Sequence, residues 1–393
     1  MHSDVCVIGN GVIGKAVALG MAQAGRRVTL VMPPARPVAA ATQDWDARVY
    51  ALNAAARDLL GSLKVWDGLD QTRIAPIDAM AVMGDGAKPG RIDFDAYGAQ
   101  SMALGWIVED RNLNQALDAA LRFTPNVTLR SGVAVDLQLR ANAAAVTFAD
   151  GETIEAALLV GADGAHSWVR TRADIGIDYR PYDQHAVVAN FACGLPHRGV
   201  ALQWFTASEG IIALLPLPGD RVSLVWSAPN TLAEVLQQES VQQLAERLQR
   251  LPDQKLGTLT ALPPERVQAI PLALIRAHQI TACRVALVGD AAHAVHPLAG
   301  HGMNLGFADV AALLRLTAPT HTDELGSDRV LGAYARARKE DVLLMQIATD
   351  GLERLFSSPL EPLRLVRNLG LNLLDKFPVI KRKLMAHAAG AAQ

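Results

Sequence analysis

The most restrictive feature of the chain lies at its start. The apolar run Val5-Cys6-Val7-Ile8 meets Gly9-Asn10-Gly11-Val12-Ile13-Gly14, and a helical stretch follows from Ala16 to Ala24. Gly25 can stop that helix before Val28-Thr29-Leu30-Val31 resumes a strand. Strand, glycine turn, helix and strand joined this tightly make a βαβ unit of a parallel sheet. In such a unit the glycines permit a tight turn, backbone approach to a pyrophosphate and close helix packing, with the phosphates at the helix N-terminus. GxGxxG alone is a weak signal, but a strand before it and a helix after it make it a dinucleotide site.

Composition narrows the class. At 393 residues and 50% apolar content the chain can bury a large core and divides into two or three domains. Lys and Arg number 37 against 39 Asp and Glu, which gives no bulk attraction to nucleic acid or anionic lipid. Cys6, Cys193 and Cys283 are widely spaced and odd in number, as expected of free thiols in a reducing compartment. No basic-then-apolar leader and no run of 18 apolar residues is present, so the expected location is cytoplasmic, without a spanning segment.

Further along, 51–63 reads as a helix, 84–98 as Gly/Asp-rich turns between short strands, and Arg111 opens a helix with leucines four apart. Strands are expected at 134–139, 145–148 and 154–160, with Asp150-Gly151 as a hairpin turn. The last of them runs into Gly161-Ala162-Asp163-Gly164. From 182 to 229 the pattern becomes β-rich and antiparallel, the mark of a second domain. Thr231 and Glu234 have the spacing of a capping box for a helix reaching about Leu251. The strand 284–288 leads into Gly289-Asp290-Ala291-Ala292-His293, then Pro297, Gly300, Gly302, Gly306 and a helix through 311–316. This second glycine-bearing strand–turn–helix makes the nucleotide-binding layer discontinuous. Beyond Leu331 the chain reads helical, broken at Pro359, Pro362 and Pro378.

Taken singly, these residues have ordinary alternatives. Asp163 and Asp290 are either ligands or turn and helix-capping aspartates. His293 and His296 have no third convergent metal ligand, so no metal site is expected. Arg48 and Arg111 are cofactor contacts or surface ion-pair residues. Trp204, Phe205 and Trp226 are core or substrate pocket.

Three separated segments together resemble the fingerprints of class A FAD-dependent aromatic hydroxylases: Gly9 to Gly14, Gly161 to Gly164 followed by Ser167 and Arg170, and Gly289 to His293 with His296-Pro297-Leu298-Ala299-Gly300. Arg48-Val49-Tyr50-Ala51-Leu52, Ile107 to Arg111, Tyr182 to Val187, Leu214 to Leu217, Val225-Trp226-Ser227 and Arg367 to Leu371 resemble the ubiquinone-biosynthesis branch. The resemblance implies an α/β fold: an FAD-binding Rossmann-like domain (1–75, 107–180, 276–330), an inserted mixed β-sheet substrate domain (76–106, 181–275) and a helical C-terminal region (331–393). It implies FAD, with NAD(P)H as electron-donating cosubstrate, and hydroxylation by O₂ through a C4a-hydroperoxyflavin of a prenylated phenolic ubiquinone precursor.

By the same resemblance Gly9, Gly11 and Gly14 hold the diphosphate, and Arg48 and Arg111 lie near the flavin and its phosphates. Asp163 belongs to the cofactor region, Gly289 and Asp290 to the ribityl chain, and Pro297, Gly300, Gly302, Met303 and Asn304 to the flavin ring. His296, Pro297 and His301 are the flavin-loop candidates for a catalytic part. The chain departs from the family at Asn10, normally glycine, at Met32, normally a ribose-binding acid, and at His301, normally glutamine. Met32 and His301 keep open a non-catalytic flavoprotein-like assembly subunit of a quinone-biosynthesis complex. A flavin-dependent halogenase or a prenyl reductase is a further alternative within this architecture, and the characteristic halogenase lysine and Trp-x-Trp-x-x-Ile signature are not apparent here. The segment 359–393, with Lys381-Arg382-Lys383 and interleaved leucines, suits packing on the FAD domain, a partner contact or peripheral binding to an anionic bilayer.

Overall fold

The computed structural model describes residues 2–34, 44–86, 89–263, 267–297 and 301–357, without the side chains of His301, Phe356 and Ser357. Gly300, the His301 side chain and the basic segment 359–393 therefore lie outside the described residues. The chain opens with β1 (His2–Ile8), α1 (Val12–Gln23) and β2 (Val28–Met32). Next come β3 (Val49–Leu52), α2 (Ala54–Ser62), β4 (Ile74–Ile77), β5 (Ala79–Met83), β6 (Arg91–Asp95), β7 (Gly105–Glu109) and α3 (Asp110–Arg122). A run of strands follows: β8 (Val127–Ser131), β9 (Ala134–Leu139), β10 (Ala144–Phe148) and β11 (Thr153–Gly161), ending at α4 (Trp168–Arg172). The long strand β12 (Ile177–Cys193) leads to β13 (Val200–Thr206), β14 (Gly210–Leu217) and β15 (Arg221–Pro229), then to α5 (Asn230–Gln238) and α6 (Val241–Leu248). The remaining elements are β16 (Leu259–Ala261), β17 (Gln268–Ala277), β18 (Thr281–Ala282), β19 (Val285–Leu287), β20 (His293–Ala294), α7 (His301–Thr317) and α8 (Asp328–Ser357).

One sheet runs β18-β19-β11-β1-β2-β8, and its core strands β19, β11, β1, β2 and β8 pair in parallel. The turns after β1, β11 and β19 thus emerge at the same edge, the carboxyl ends where open α/β sheets take ligands. Helices α1, α2, α3 and α7 bury Leu19, Leu60, Leu117 and Leu313 against one face of it. A second sheet, β20-β17-β12-β15-β14-β13-β5-β6, is antiparallel except where β5 joins β13 in parallel, so it is mixed. A small third sheet, β3-β7-β4, bridges the two. The fold is a Rossmann-like parallel sheet with helices packed on it, an inserted mixed sheet and, among the described residues, the C-terminal helix α8.

Several local expectations fail for identifiable reasons. Ala51 and Leu52 belong to β3 rather than to the helix, because they pair with Ile107 and Trp106 of β7; Asn53 then caps α2 by accepting from the Ala56 amide. Thr231 makes no capping box: Pro229 is the N-cap of α5 and Thr231 sits inside the helix. The capping box forms instead at Ser240 and Gln243, where the expected single helix to Leu251 breaks into α5 and α6. No helix among the described residues is long and apolar enough to cross a membrane. Cys6 is buried, and burial pushes its thiol up to about 12, which removes it from thiolate chemistry at neutral pH.

Candidate cofactor and substrate site

A cavity of about 750 Å³ lies between the parallel-sheet turns and the mixed sheet. Gly11, Arg48, Gly289, Asp290, Pro297, Gly302 and Met303 line its nucleotide side. The first turn shows why its glycines are needed. Gly9 has φ +117°, and a Cβ there would collide with the Ala162 carbonyl; a Cβ on Gly14 would overlap the carbonyl oxygen of Gly9. Gly11, the N-cap of α1, opens onto free space, so its backbone can be approached closely at a positive helix end. Gly9 and Gly14 thus shape the turn from behind while Gly11 faces the cavity.

Asp290 is open to the cavity yet hemmed in by protein on its other sides. No described residue donates a hydrogen bond to its carboxylate. Burial pushes its carboxyl above the usual range, His293 and Arg48 pull it back, and Asp309 adds to the rise. Its placement comes from a buried network that sequence reading missed. Asp309 of α7 accepts from the Gly289 amide at 2.8 Å and from His293 Nε2 at 2.8 Å, and Arg338 Nε donates to its other oxygen at 2.7 Å. Burial alone would raise the Asp309 carboxyl, but His293 and Arg338 outweigh it and hold the group below the usual range. The available signal was a lone aspartate in the otherwise apolar run Leu305 to Leu314.

Asp163 behaves differently and takes the turn-aspartate alternative. One oxygen accepts from the Ser167 hydroxyl and the other from the Val169 amide at 3.1 Å, so both serve the start of α4. Ser167 in turn accepts from the Arg170 amide at 3.0 Å, and Arg170 Nη1 donates to the Ala291 carbonyl at 2.9 Å, which joins the two turns. The cavity wall here is formed by Ala162 and Gly164 beside Asp163.

Arg48 reaches the cavity from a loop held by Asp46, whose oxygens accept from the Arg48 and Arg111 amides at 3.0 and 3.1 Å. The Arg111 guanidinium turns to the Asp44 carbonyl and lies 4.0 Å from Glu109; it does not line the cavity. The Asn304 amide is likewise committed elsewhere, accepting from the Asn53 amide at 3.0 Å and donating to the Ala51 carbonyl at 2.8 Å, which ties α7 to the β3–α2 junction. Met32 ends β2 and packs on the core without supplying an acid.

His296 points away from the cavity. It is buried edge-on to Tyr182 at 4.9 Å, and its Nε2 donates to Gln184 Oε1 at 3.0 Å, while Gln184 donates to Glu353 at 3.0 Å. Burial pushes the imidazole down to about 4, so it stays neutral at working pH and anchors the loop before Pro297. It is not placed as a proton donor to the cavity. The pair His293 and His296 therefore diverges, and no group of three metal-ligating side chains occurs among the described residues.

The substrate face follows strand alternation. Ala186, Val188, Ala201, Gln203, Ile211, Ala213, Leu215, Val225 and Ser227 share the cavity side of the mixed sheet. Trp204 and Trp226 point to the opposite face, fully buried under α5 and α6, their indole N–H groups donating to the carbonyls of Pro252 and Glu209 at 2.8 and 2.7 Å. They are core, not pocket. Phe205 lies on the cavity side but packs beyond the lining, against Val82, Ile92 and Ile211.

A family model described as an FAD binding domain matches residues 2–345. The chain is 35% identical to the ubiquinone hydroxylase UbiL of Rhodospirillum rubrum, over 99% of this chain and 90% of that protein. It is also 35% identical to the 3-demethoxyubiquinol 3-hydroxylase of Escherichia coli, over 99% of this chain and 98% of that one. Among solved structures it is similar to PqsL of Pseudomonas aeruginosa, a probable FAD-dependent monooxygenase, with TM-score 0.78, 23% identity, and 94% and 100% of the two chains covered. It is similar too to Klebsiella pneumoniae HpxO, solved with FAD and uric acid, with TM-score 0.74, 19% identity, and 99% and 96% covered. These two structural likenesses bear on the fold.

Proposed function

The chain belongs to the FAD-binding aromatic hydroxylases related to the ubiquinone-biosynthesis monooxygenases, and is an FAD-dependent oxidoreductase; from that premise we propose that it hydroxylates the ring of a prenylated phenolic ubiquinone precursor, using NAD(P)H and O₂. The observation that carries this reading is one continuous cavity, with phosphate- and hydroxyl-binding groups on one wall and a largely apolar sheet face on the other. FAD supplies the oxygen chemistry when bound. The residues on the nucleotide side fit it. Gly11 at the α1 N-terminus offers close backbone approach and positive potential to the diphosphate, and Arg48 adds a cation. The unsatisfied Asp290 carboxylate suits ribityl hydroxyls, which are donors it lacks among its described neighbours. Pro297, Gly302 and Met303 would face the ring.

The protein's part in the reaction is geometric. Ala213, Leu215 and Val225 hold an apolar ligand against the sheet and keep water out, and a buried prenyl group contributes roughly 0.8 kcal/mol per methylene equivalent. Neither the cytoplasmic face of a membrane nor open cytoplasm is required by this site, and a lipid-tailed substrate favours the peripheral location. The test is turnover under oxygen-18 gas with NADH or NADPH and a short-chain prenylated phenol, following nicotinamide, peroxide and product. The product should carry label from the gas, with tighter coupling for prenylated than for small polar phenols. Unlabelled product overturns the monooxygenase reading, and equal coupling across the panel overturns the prenylated substrate class.

A further inference from the structure

Two polar side chains on the cavity side of the mixed sheet have no evident work in the fold. Gln203 of β13 and Ser227 of β15 both line the cavity, each with 4% of its surface exposed. Among the described residues no hydrogen bond reaches the Gln203 amide or the Ser227 hydroxyl, and neither has an interaction beyond those described. Other buried amides nearby are engaged at least through their nitrogens: Asn190 Nδ2 donates to the Asp46 carbonyl at 2.9 Å, and Gln184 Nε2 to Glu353. Both groups open onto the cavity, and a ligand that covers them without offering hydrogen bonds would leave them buried and unpaired, a penalty that methionine in the volume of Gln203 would not carry.

The strand register fixes how the two groups are spaced. Gln203 lies opposite Ala213 and Ala213 opposite Val225, whereas Ser227 lies opposite Ile211, one row along the same face. Two strand spacings across and one two-residue step along put their α-carbons about 12 Å apart. The surface between them is Ala213, Ile211 and Val225, flat and apolar enough to accept a ring. An amide offers both a donor and an acceptor, and a hydroxyl can do either, so together they can meet phenolic and ether oxygens on two edges of one ring.

We infer that Gln203 and Ser227 orient the substrate by hydrogen-bonding oxygen substituents at separate edges of its aromatic ring, Gln203 as the principal contact and Ser227 as the lesser. The inference rests on the proposed function for the class of ligand in the cavity. It makes ring oxygens, beyond the prenyl group, the basis on which ligands are selected, because a plain hydrocarbon ring would leave both groups buried and unpaired.

The test uses the FAD-loaded full chain, a short-chain prenylated methoxyphenol and the corresponding prenylbenzene without ring oxygens. Binding is measured by calorimetry, and the position of the new hydroxyl by NMR. Gln203→Met should weaken binding of the methoxyphenol about 10-fold and scatter the hydroxylation position, and Ser227→Ala should do the same by about 3-fold. Prenylbenzene should bind both variants as tightly as the wild type or more tightly, because each substitution removes a group which that ligand leaves unpaired. Equal methoxyphenol affinity in wild type and both variants overturns the inference, as does a loss that is the same for both ligands, since that would report packing. Should Gln203→Met fail to fold, the wild type decides: equal affinity for the two ligands overturns the inference. Oxygen-dependent binding without any hydroxylated product would instead reject the hydroxylase reading and leave the orienting roles in place.

Discussion

The turns after β11 and β19 look alike in sequence: each follows an apolar parallel strand and each sets an aspartate beside a glycine. They do opposite things with it. Asp163 spends both oxygens on its own neighbourhood, through Ser167 and the Val169 amide, and so builds the start of α4. Asp290 is spared that work because a third carboxylate, Asp309, arrives from α7 and takes the Gly289 amide and His293. The first turn is scaffold, and Arg170 carries its support across to Ala291 in the second. What separates a binding aspartate from a capping one here is whether another element satisfies the local donors.

The largest effect should come from removing the group that creates this asymmetry. Asp309→Asn leaves the Arg338 guanidinium buried beside a neutral amide, with Asp341 as its remaining carboxylate partner. Breaking a buried pair from one side costs about 3–5 kcal/mol. Chemical denaturation should show a loss in that range, and the double variant Asp309→Asn/Arg338→Met should recover part of it. A loss below 1 kcal/mol would remove the network from its proposed place in holding the second turn.

Next in size is the contrast between the two turn aspartates themselves. Asp290→Ala should raise the FAD dissociation constant about 10- to 100-fold, the worth of one charge-assisted hydrogen-bond set, with no loss of apoprotein stability. Asp163→Ala should do the reverse, lowering stability by about 1 kcal/mol through the lost start of α4 while FAD affinity, measured well below the unfolding temperature, changes less than 3-fold. Flavin fluorescence titration and thermal unfolding of both variants settle the comparison. Matching profiles for the two would dissolve the distinction between scaffold and binding turn.

The turn after β1 was legible in the sequence because its constraint is steric and local: Gly9 and Gly14 are needed by backbone approach, which leaves a spacing to read. The mixed sheet was legible as strands, but the side on which each residue falls was not. Trp204 and Gln203 are neighbours in sequence on opposite faces, and both faces are buried, one under α5 and α6 and the other on the cavity, so apolar alternation carries no sign of direction. Asp163 and Asp290 are indistinguishable locally because the deciding partners, Ser167 in one case and Asp309 in the other, differ in range: the second is nineteen positions away on a helix, an offset set by packing. His296 was misplaced for a similar reason. Its loop neighbours Val295 and Pro297 line the cavity, and the burial against Tyr182 and Gln184 that turns the ring away comes from β12.

The smallest effect follows from the charge that the second turn leaves open. Burial raises the Asp290 carboxyl above its unfolded value, so this group binds its proton more tightly in the folded state. Its contribution to stability is fully present below the unfolded pKa, near 3.9, and is lost as pH rises through the raised folded value. Asp309 has the opposite sign: its lowered carboxyl contributes stability above the unfolded value and loses it as pH falls through the folded one. Asp290→Asn should therefore stabilise the apoprotein at neutral pH, and the gain should shrink toward zero as pH falls below the ordinary aspartate range, where the wild-type carboxyl is neutral in both states. Saturating FAD should reverse the order at neutral pH, because ligand binding stabilises only the wild type fully. Unfolding midpoints of wild type and Asp290→Asn, with and without FAD across pH 3.5 to 8 (roughly the span of those carboxyl values), give the check. A pH-independent difference would mean that the amide merely packs differently, whereas a gain that vanishes in acid and inverts with FAD would identify Asp290 as a carboxylate kept unsatisfied for its ligand.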